Sequence, residues 1–185
     1  MKSQIFFLFL LLFISSGCAS EEHLRFLNVP INGPIDEFAN ELVKNGFTKD
    51  APEEENQVKL KGLFIEEQSV VHLYATGKSK TVYQVKVIIP TESRDSLRVS
   101  FERIQKLCSS KYGIGKSKYY QYRNPERFFF NETRNIRQLN SGDFTRYTTA
   151  NGIITVKVQI GFISITFSDN LNSKIQKSET EAGEE

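Results

Sequence analysis

Apolar residues spaced three and four positions apart predict two amphipathic helices. The first begins after Pro34 and ends before Gly46, and the second runs from about Ser93 to Tyr112. Each is followed by a glycine, which suits a helix end, and a proline in the first turn is equally typical of a helix start. Each helix is therefore expected to bury one face. The apolar stripes are Ile35, Phe38, Ala39, Leu42 and Val43 in the first helix and Leu97, Phe101, Ile104, Cys108 and Tyr112 in the second.

Alternation of apolar and polar residues predicts two groups of three strands. The first group lies between the helices and the second comes late in the chain, where Asn151 and Gly152 suit a type I′ hairpin turn. Residues 119–130 are expected to form one or two irregular strands before the second group. A helix followed by strands, twice over, predicts an α+β fold of two helix-then-antiparallel-sheet halves, with the helices packed on one face of an antiparallel sheet. The predicted strands are 58–64, 70–75, 83–89, 144–149, 152–160 and 162–167.

The first eighteen residues have the pattern of an export signal. Lys2 supplies a positive charge, residues 5–14 are an unbroken apolar run, and small residues precede Cys18. The apolar run is about half of the roughly 20 residues that a helix needs to cross a bilayer. We therefore expect residues 1–17 to be a signal peptide rather than a membrane span.

The residues before Cys18 resemble the signal of bacterial lipoproteins, in which the cysteine becomes the acylated first residue of the mature chain. Ser15 departs from that signal, which usually has Leu or another aliphatic residue at this place. Relaxed signals of this kind are similar to those of Bacteroidetes-type lipoproteins, and the acidic start at residues 18–22 resembles a tag for surface export in that group. The resemblance implies palmitate on Cys18 and an outer-membrane lipoprotein facing the periplasm or the cell surface. The alternative is cleavage after Ala19 or Ser20 and secretion.

Beyond the signal, the composition predicts one domain between two polar ends. Residues 18–32 are expected to be a tether in which 26–29 form an edge strand or extended chain, and residues 33–172 a single domain. Residues 173–185 are expected to be a disordered acidic tail, because apolar residues thin out after Asp169. Without residues 1–17, 23 basic residues face 22 acidic ones, so the net charge of about +1 implies no nucleic-acid partner.

Residue types that support catalysis are scarce. The chain has two histidines, His23 and His72, so a His-rich metal site is not expected. Cys108 is expected to be a buried, unreactive thiol rather than a nucleophile paired with His72. Glu66 and Glu67 are adjacent, and adjacent strand residues point to opposite faces, so they cannot flank one glycosidic bond. We therefore expect no enzymatic activity, no cofactor and no metal site.

Basic and aromatic residues are interleaved in residues 111–146, where eight Lys and Arg residues face three acidic ones. Tyr and Arg are enriched at protein interfaces, so this segment is the candidate partner surface. The alternative is that its aromatic residues fill the core while its cations form a solvated face offset by acidic residues 50–67. Stacking on nucleic acid does not fit an exported protein. The candidate partner residues are Tyr119, Tyr120, Tyr122, Arg123 and Arg127.

Three stretches, at residues 26–47, 111–113 and 167–172, resemble a group of small uncharacterised Bacteroidetes envelope lipoproteins. The layout is also similar to β-lactamase-inhibitor-protein-like and BamE-like domains, which bind other proteins through sheet and loops. These resemblances imply a non-catalytic, lipid-anchored cell-envelope protein that recognises another protein, as an envelope-assembly accessory or an inhibitor-like binder. The alternative is an envelope lipoprotein that binds small ligands or glycans.

Overall fold

Three helices and ten strands are formed by the residues that the computed structural model describes, which are 23–50, 55–119, 139 and 141–183. The α+β class predicted from the alternation of patterns is confirmed. The helices are α1 (Ile35–Lys44), α2 (Arg94–Tyr112) and α3 (Asn170–Glu181). The strands are β1 (Arg25–Phe26), β2 (Val29–Pro30), β3 (Thr48–Lys49), β4 (Gln57–Phe64), β5 (Glu67–Ala75), β6 (Val82–Pro90), β7 (Lys116–Lys118), β8 (Phe144–Thr148), β9 (Gly152–Gln159) and β10 (Phe162–Asp169).

Eight of the strands form one antiparallel sheet in the order β3-β4-β5-β6-β10-β9-β8-β7. Strands β6 and β10 pair at the centre, where Val87 lies opposite Ile165. In sequence, α1 is followed by β3 to β6 and α2 by β7 to β10, so each half runs from one edge of the sheet to its centre. The predicted division into two helix-then-sheet halves is therefore confirmed, with four strands in each half rather than three.

The terminal residues of the two predicted helices favour a helix start or a helix end at the positions observed. Asp36 and Glu37 lie in the first turn of α1 and Lys44 in its last, so each charge complements the helix dipole. At the start of α2, the Ser93 hydroxyl accepts a hydrogen bond from the Ser96 N–H at 3.1 Å, and the Ser96 hydroxyl accepts one from the Ser93 N–H at 3.0 Å. This reciprocal capping satisfies two N–H groups that have no partner inside the helix.

One face of the sheet packs against the helices. Helix α1 contacts β4 and β5, α2 contacts β8 to β10, and α3 contacts β6, β9 and β10. Every second residue of the long strands is buried on this side, which matches a sheet with one covered face. Each fully buried aliphatic side chain contributes about 1.5 to 3 kcal/mol to stability. The fully buried strand residues include Leu60, Val71, Leu73, Val85, Val87, Ile154, Val156, Ile163 and Ile165.

A hairpin of β1 and β2 belongs to the core rather than to a tether. Leu24, Phe26 and Ile31 are buried. The Phe26 ring stacks on Phe64 with 5.5 Å between centroids and meets Phe167 edge-on at 5.2 Å. The prediction of a tether over 18–32 is therefore wrong from Leu24 onward, because the apolar residues of two very short strands fill a gap in the core. Residues 18–22 lie outside the described ranges.

Helix α3 occupies most of the predicted disordered tail. The Asp169 carboxylate accepts hydrogen bonds from the N–H groups of Leu171 and Asn172, each at 3.0 Å, and so caps the helix. The Asn172 side chain donates to the carbonyl oxygens of Ile31 and Val82, each at 2.9 Å, and is buried. The prediction of disorder is thus wrong for residues 173–181, because polar hydrogen bonds and not an apolar stripe hold this helix. Within the described ranges, no helix combines the length and apolarity needed to cross a bilayer.

Candidate functional site

The second face of the sheet carries no helix among the described residues, and its side chains line up in rows. Because neighbouring strands pair in register, one residue from each of seven strands contributes to a row. Two adjacent rows contain seven Lys and Arg residues and no Asp or Glu. We call these two rows the basic sheet face. The first row is Lys59, His72, Lys86, Thr166, Thr155, Arg146 and Lys116, and the second is Lys61, Val70, Ile88, Ser164, Lys157, Phe144 and Lys118.

The cations of this face come from separate parts of the chain. Strand β4 supplies Lys59 and Lys61, β6 supplies Lys86 and β9 supplies Lys157. These lysines occupy polar positions of strands in which buried residues alternate with more exposed ones. Alternation therefore indicates that each lysine faces away from the core, but only the strand order shows that they share one surface.

Positive charge accumulates across this surface. The Asp50 carboxylate lies at its β4 edge, 2.9 Å from the Lys61 ammonium and 3.9 Å from that of Lys59. Lys116 and Arg146 lie directly opposite each other on β7 and β8. Strands are spaced by about 4.8 Å and charges interact over a Debye length of about 8 Å at physiological salt, so neighbouring cations reinforce one another's potential.

Aromatic and aliphatic side chains lie among the cations. The rings of His72 and Tyr74 stack with 6.4 Å between centroids, and the Arg146 guanidinium lies 5.7 Å from the centre of the Phe144 ring. Val70 and Ile88 are half-buried between them. A row across seven strands spans about 29 Å, which is the scale of a protein interface of about 800 Å² per partner. The arrangement can bind an anionic surface that also has apolar groups.

The candidate residues predicted from sequence fall mostly outside the described part of the chain. Tyr120, Tyr122, Arg123 and Arg127 lie outside it, as does Cys18. Tyr119 follows β7 directly and is half-buried. Three other cations of the same basic segment, Lys116, Lys118 and Arg146, belong to the basic sheet face.

The candidate catalytic residues are kept apart or bonded elsewhere. Cys108 is buried between α2 and the sheet, which confirms its predicted place in the core, and this burial raises the pKa of its thiol to about 11. His72 lies on the opposite face of the sheet. The Glu67 carboxylate bonds to the Arg103 guanidinium and to the Ser100 hydroxyl on α2. Across the described ranges, no three His, Cys, Asp or Glu residues cluster as metal ligands.

A shallow cavity of about 320 Å³ lies beside the C-terminal half of α2. Its polar groups satisfy each other: the Gln105 side chain donates to the Thr145 hydroxyl, Ser117 and Thr145 are 2.9 Å apart, and the Tyr147 hydroxyl donates to the Gln105 carbonyl at 3.1 Å. Burial raises the pKa of Tyr147, so its hydroxyl stays protonated. These groups stabilise the packing of α2 on β8.

No family model, no curated protein and no solved structure matches this chain. Over its described residues, the molecule is an α+β protein with one sheet face covered by helices and one basic sheet face without them.

Proposed function

We propose that this chain is a non-catalytic, lipid-anchored cell-envelope protein whose basic sheet face binds an acidic surface of another protein. The observation that supports the proposal is the pair of adjacent rows of the described sheet that hold seven cations and no acidic residue, with the Asp50 carboxylate only at their β4 edge. Complementary charge steers two proteins together and fixes their register. The net charge of the chain is only +2, so the positive potential is a local property of this face.

The chemistry of the face favours binding over catalysis. The cross-strand neighbours of His72 are Lys59 and Lys86, so an imidazole and two ammonium groups lie in line on this face. Thr155 and Thr166 lie at the centre of the same row and are ordinary alcohols in extended strands. These groups donate hydrogen bonds and positive charge to a bound surface.

The mixture of side chains favours a protein as the partner. A polyanion needs only charge, whereas protein interfaces combine aromatic and aliphatic contacts with a charged rim. Val70, Ile88 and Phe144 lie in the second row together with three lysines, so apolar contact and ion pairing are available side by side. Antiparallel strands hold these groups at fixed separations, which lowers the conformational cost of binding.

The start of the sequence supports the proposed location. Cys18 follows an export signal and small residues, and four residues separate it from His23, the first residue that the structure describes. Several acyl chains on one cysteine anchor a protein firmly, whereas a single chain holds only marginally. The proposed protein is therefore held at the outer membrane, facing the periplasm or the cell surface.

Site-specific photocrosslinking in intact cells tests the function. A benzophenone amino acid at Thr155, in the first row, is expected to give one protein adduct of defined mass, and the same group at Ser110 on α2 is expected to give none. The double variant Lys86→Glu, Lys157→Glu should reduce the Thr155 adduct at least tenfold, because two of the seven cations of the basic sheet face are reversed beside the crosslinker. The matched control, Lys106→Glu with Lys111→Glu, changes charge equally on exposed positions of α2 and should leave the adduct unchanged.

Two outcomes contradict the proposal. Equal loss of the adduct in both double variants removes the basic sheet face as the site. Absence of any adduct at Thr155, together with retention on an immobilised anionic glycan that the Lys86→Glu, Lys157→Glu variant abolishes, favours the glycan-binding alternative.

A further inference from the structure

The chain enters the folded domain at a fixed point at one end of the sheet. The Asp169 carboxylate, fully buried at the end of β10, lies 3.2 Å from the His23 imidazole and accepts a hydrogen bond from the Leu24 N–H at 2.8 Å. Leu24 also packs so closely on Gly152 that a Cβ added there would lie 2.9 Å from its side chain. Residues before His23 must therefore start from this end of the sheet.

The distance from that point to the proposed lipid anchor is short. Four residues, 19–22, separate Cys18 from His23. A fully extended chain covers at most about 3.5 Å per residue, so Cys18 lies within roughly 17 Å of His23. Strand β10 alone has eight residues and is about 27 Å long. The bilayer is thus close to one end of the sheet and far from the turn at Ile160, at the other end.

Helix α3 lies across this same end. It follows its cap residue Asp169 and reaches the β5–β6 loop, where the Glu179 carboxylate accepts hydrogen bonds from the N–H groups of Lys78 at 2.6 Å and Ser79 at 3.2 Å. Helix α3 and residues 76–81 together are named the anchor end. The outward side of α3 exposes Lys174, Lys177 and Ser178, with 42% of Ile175 also exposed.

These side chains suit the interface of a phospholipid bilayer. An exposed aliphatic group flanked by lysines places its apolar part among the lipid headgroups while the ammonium groups contact phosphate. Basic residues next to an anionic leaflet add electrostatic attraction. The Lys177 ammonium lies 3.7 Å from Glu181, so Lys174 carries the larger share of that attraction.

We infer that the anchor end lies against the bilayer that holds Cys18, and that the basic sheet face stands clear of the lipid, open to a protein partner. The inference rests on the acylation of Cys18 in the proposed function. It specifies that the anchor end is the surface that faces lipid, and it assigns different roles to the anchor end and the basic sheet face. Lys174 and its neighbours contact phosphate, whereas the two rows of the sheet contact protein.

Fluorescence quenching in vesicles tests this orientation. The full-length lipoprotein is purified from envelopes and reconstituted in vesicles of phosphatidylethanolamine and phosphatidylglycerol, with an environment-sensitive dye on Ser178→Cys, Thr155→Cys or Ile160→Cys. Acylation blocks Cys18, and Cys108 is buried, so the introduced thiol takes the dye. Ser178 lies on the exposed side of α3 and leaves Lys174 in place. Quencher lipids labelled at the headgroup are expected to quench Ser178→Cys at least threefold more than the other two.

Each other result overturns the orientation. Stronger quenching at Thr155→Cys would place the basic sheet face on lipid, and stronger quenching at Ile160→Cys would place the opposite end there. Equal quenching at all positions in a protein that floats with the vesicles would refute the orientation alone. Failure of the wild-type chain to float, with behaviour identical to Cys18→Ala, would instead refute the lipid anchor of the proposed function, and the orientation with it.

Discussion

Asp169 joins the two ends of the described chain through one carboxylate. It is fully buried, caps α3 through Leu171 and Asn172, and holds Leu24 and His23 at the start of the domain. A buried N–H that loses its acceptor costs about 1 to 3 kcal/mol, and loss of an N-cap alone costs about 1 kcal/mol. A single side chain thus controls both the entry of the chain and its last helix.

Replacement of Asp169 by Ala is expected to lower the free energy of unfolding by about 3 kcal/mol, because several backbone N–H groups lose their acceptor together. Urea unfolding followed by circular dichroism measures the change. Asp95→Ala, at an exposed position in the first turn of α2, is the matched control and should cost less than about 0.5 kcal/mol. A loss below about 1 kcal/mol in Asp169→Ala would show that water replaces the carboxylate.

The buried thiol of Cys108 predicts a pH dependence of stability. Burial raises its pKa from 9.0 to about 11, so between these values the unfolded chain loses a proton that the folded chain keeps. The folded state is therefore destabilised as the pH rises through this range, by at most about 1.4 kcal/mol per pH unit. The contribution is fully present below pH 9.

Unfolding of a chain that begins at Ala19, measured from pH 8 to pH 11, checks this prediction. The fall in stability above pH 9 should be smaller in Cys108→Ser, which has no thiol to titrate, and the difference isolates Cys108 from the buried tyrosines. The native thiol should also resist alkylation at pH 7.5. Identical pH profiles of the two chains would contradict the raised pKa.

At the scale of elements, the connection after α1 folds back onto the sheet at a glycine. Phe47 is buried over Gly62 of β4, and a Cβ at Gly62 would lie 2.6 Å from Phe47 Cδ1 and 2.9 Å from its Cγ. A side chain at this position would overlap the ring. The missing side chain of Gly62 is therefore what allows α1 to lie close to β4.

Gly62→Ala is expected to lower the free energy of unfolding by about 2 kcal/mol, because overpacking of a core contact costs about 1 to 3 kcal/mol. Gly77→Ala provides the control, since the atom nearest to an added Cβ there is a Glu179 carboxylate oxygen at 3.9 Å. Thermal unfolding of both variants makes the comparison. Equal stability of Gly62→Ala and the wild type would mean that Phe47 moves aside without loss.

Elements with regular apolar spacing could be predicted from the sequence, and elements without it could not. Helix α1 and strands such as β9 carry long runs of the expected period, so their positions are confirmed. Strands β3 and β7 contain two and three residues, all of them polar, and depend on pairing with β4 and β8. Helix α3 depends on Asp169 and Asn172, whose partners lie more than 80 residues away.

The candidate site shows the same limit. The sequence shows each lysine on β4, β6 and β9 as a polar position in an alternating strand. Whether these lysines lie on one surface depends on strand order and register, which the sequence pattern does not give. Residues 111–146 stand out in the sequence because their charge is continuous along the chain. The cations in the row from Lys59 to Lys116 are far apart in the sequence and become neighbours only when the strands pair, so no stretch of the sequence reveals them as a cluster.

At the scale of the whole molecule, like charges gathered on the basic sheet face lower the stability of the folded protein. Lys116 and Arg146 lie directly opposite on β7 and β8, and like charges at such positions are destabilising. Replacing Arg146 would also remove the contact of its guanidinium with the Phe144 ring. Lys116 is therefore the better residue of the pair to replace. Opposite-charge pairs at these positions contribute about 0.2 to 1 kcal/mol.

Lys116→Glu is therefore expected to raise the free energy of unfolding by about 0.5 kcal/mol at low salt while it weakens the Thr155 crosslink to the partner. Lys116→Gln removes the repulsion without adding an attraction and should give a smaller gain. In 1 M salt the Debye length falls to about 3 Å, so both gains should shrink. Urea unfolding at the two salt concentrations, with crosslinking of the same variants, provides the test. A variant that loses stability and keeps its crosslink would show that Lys116 is held by other contacts and takes no part in binding.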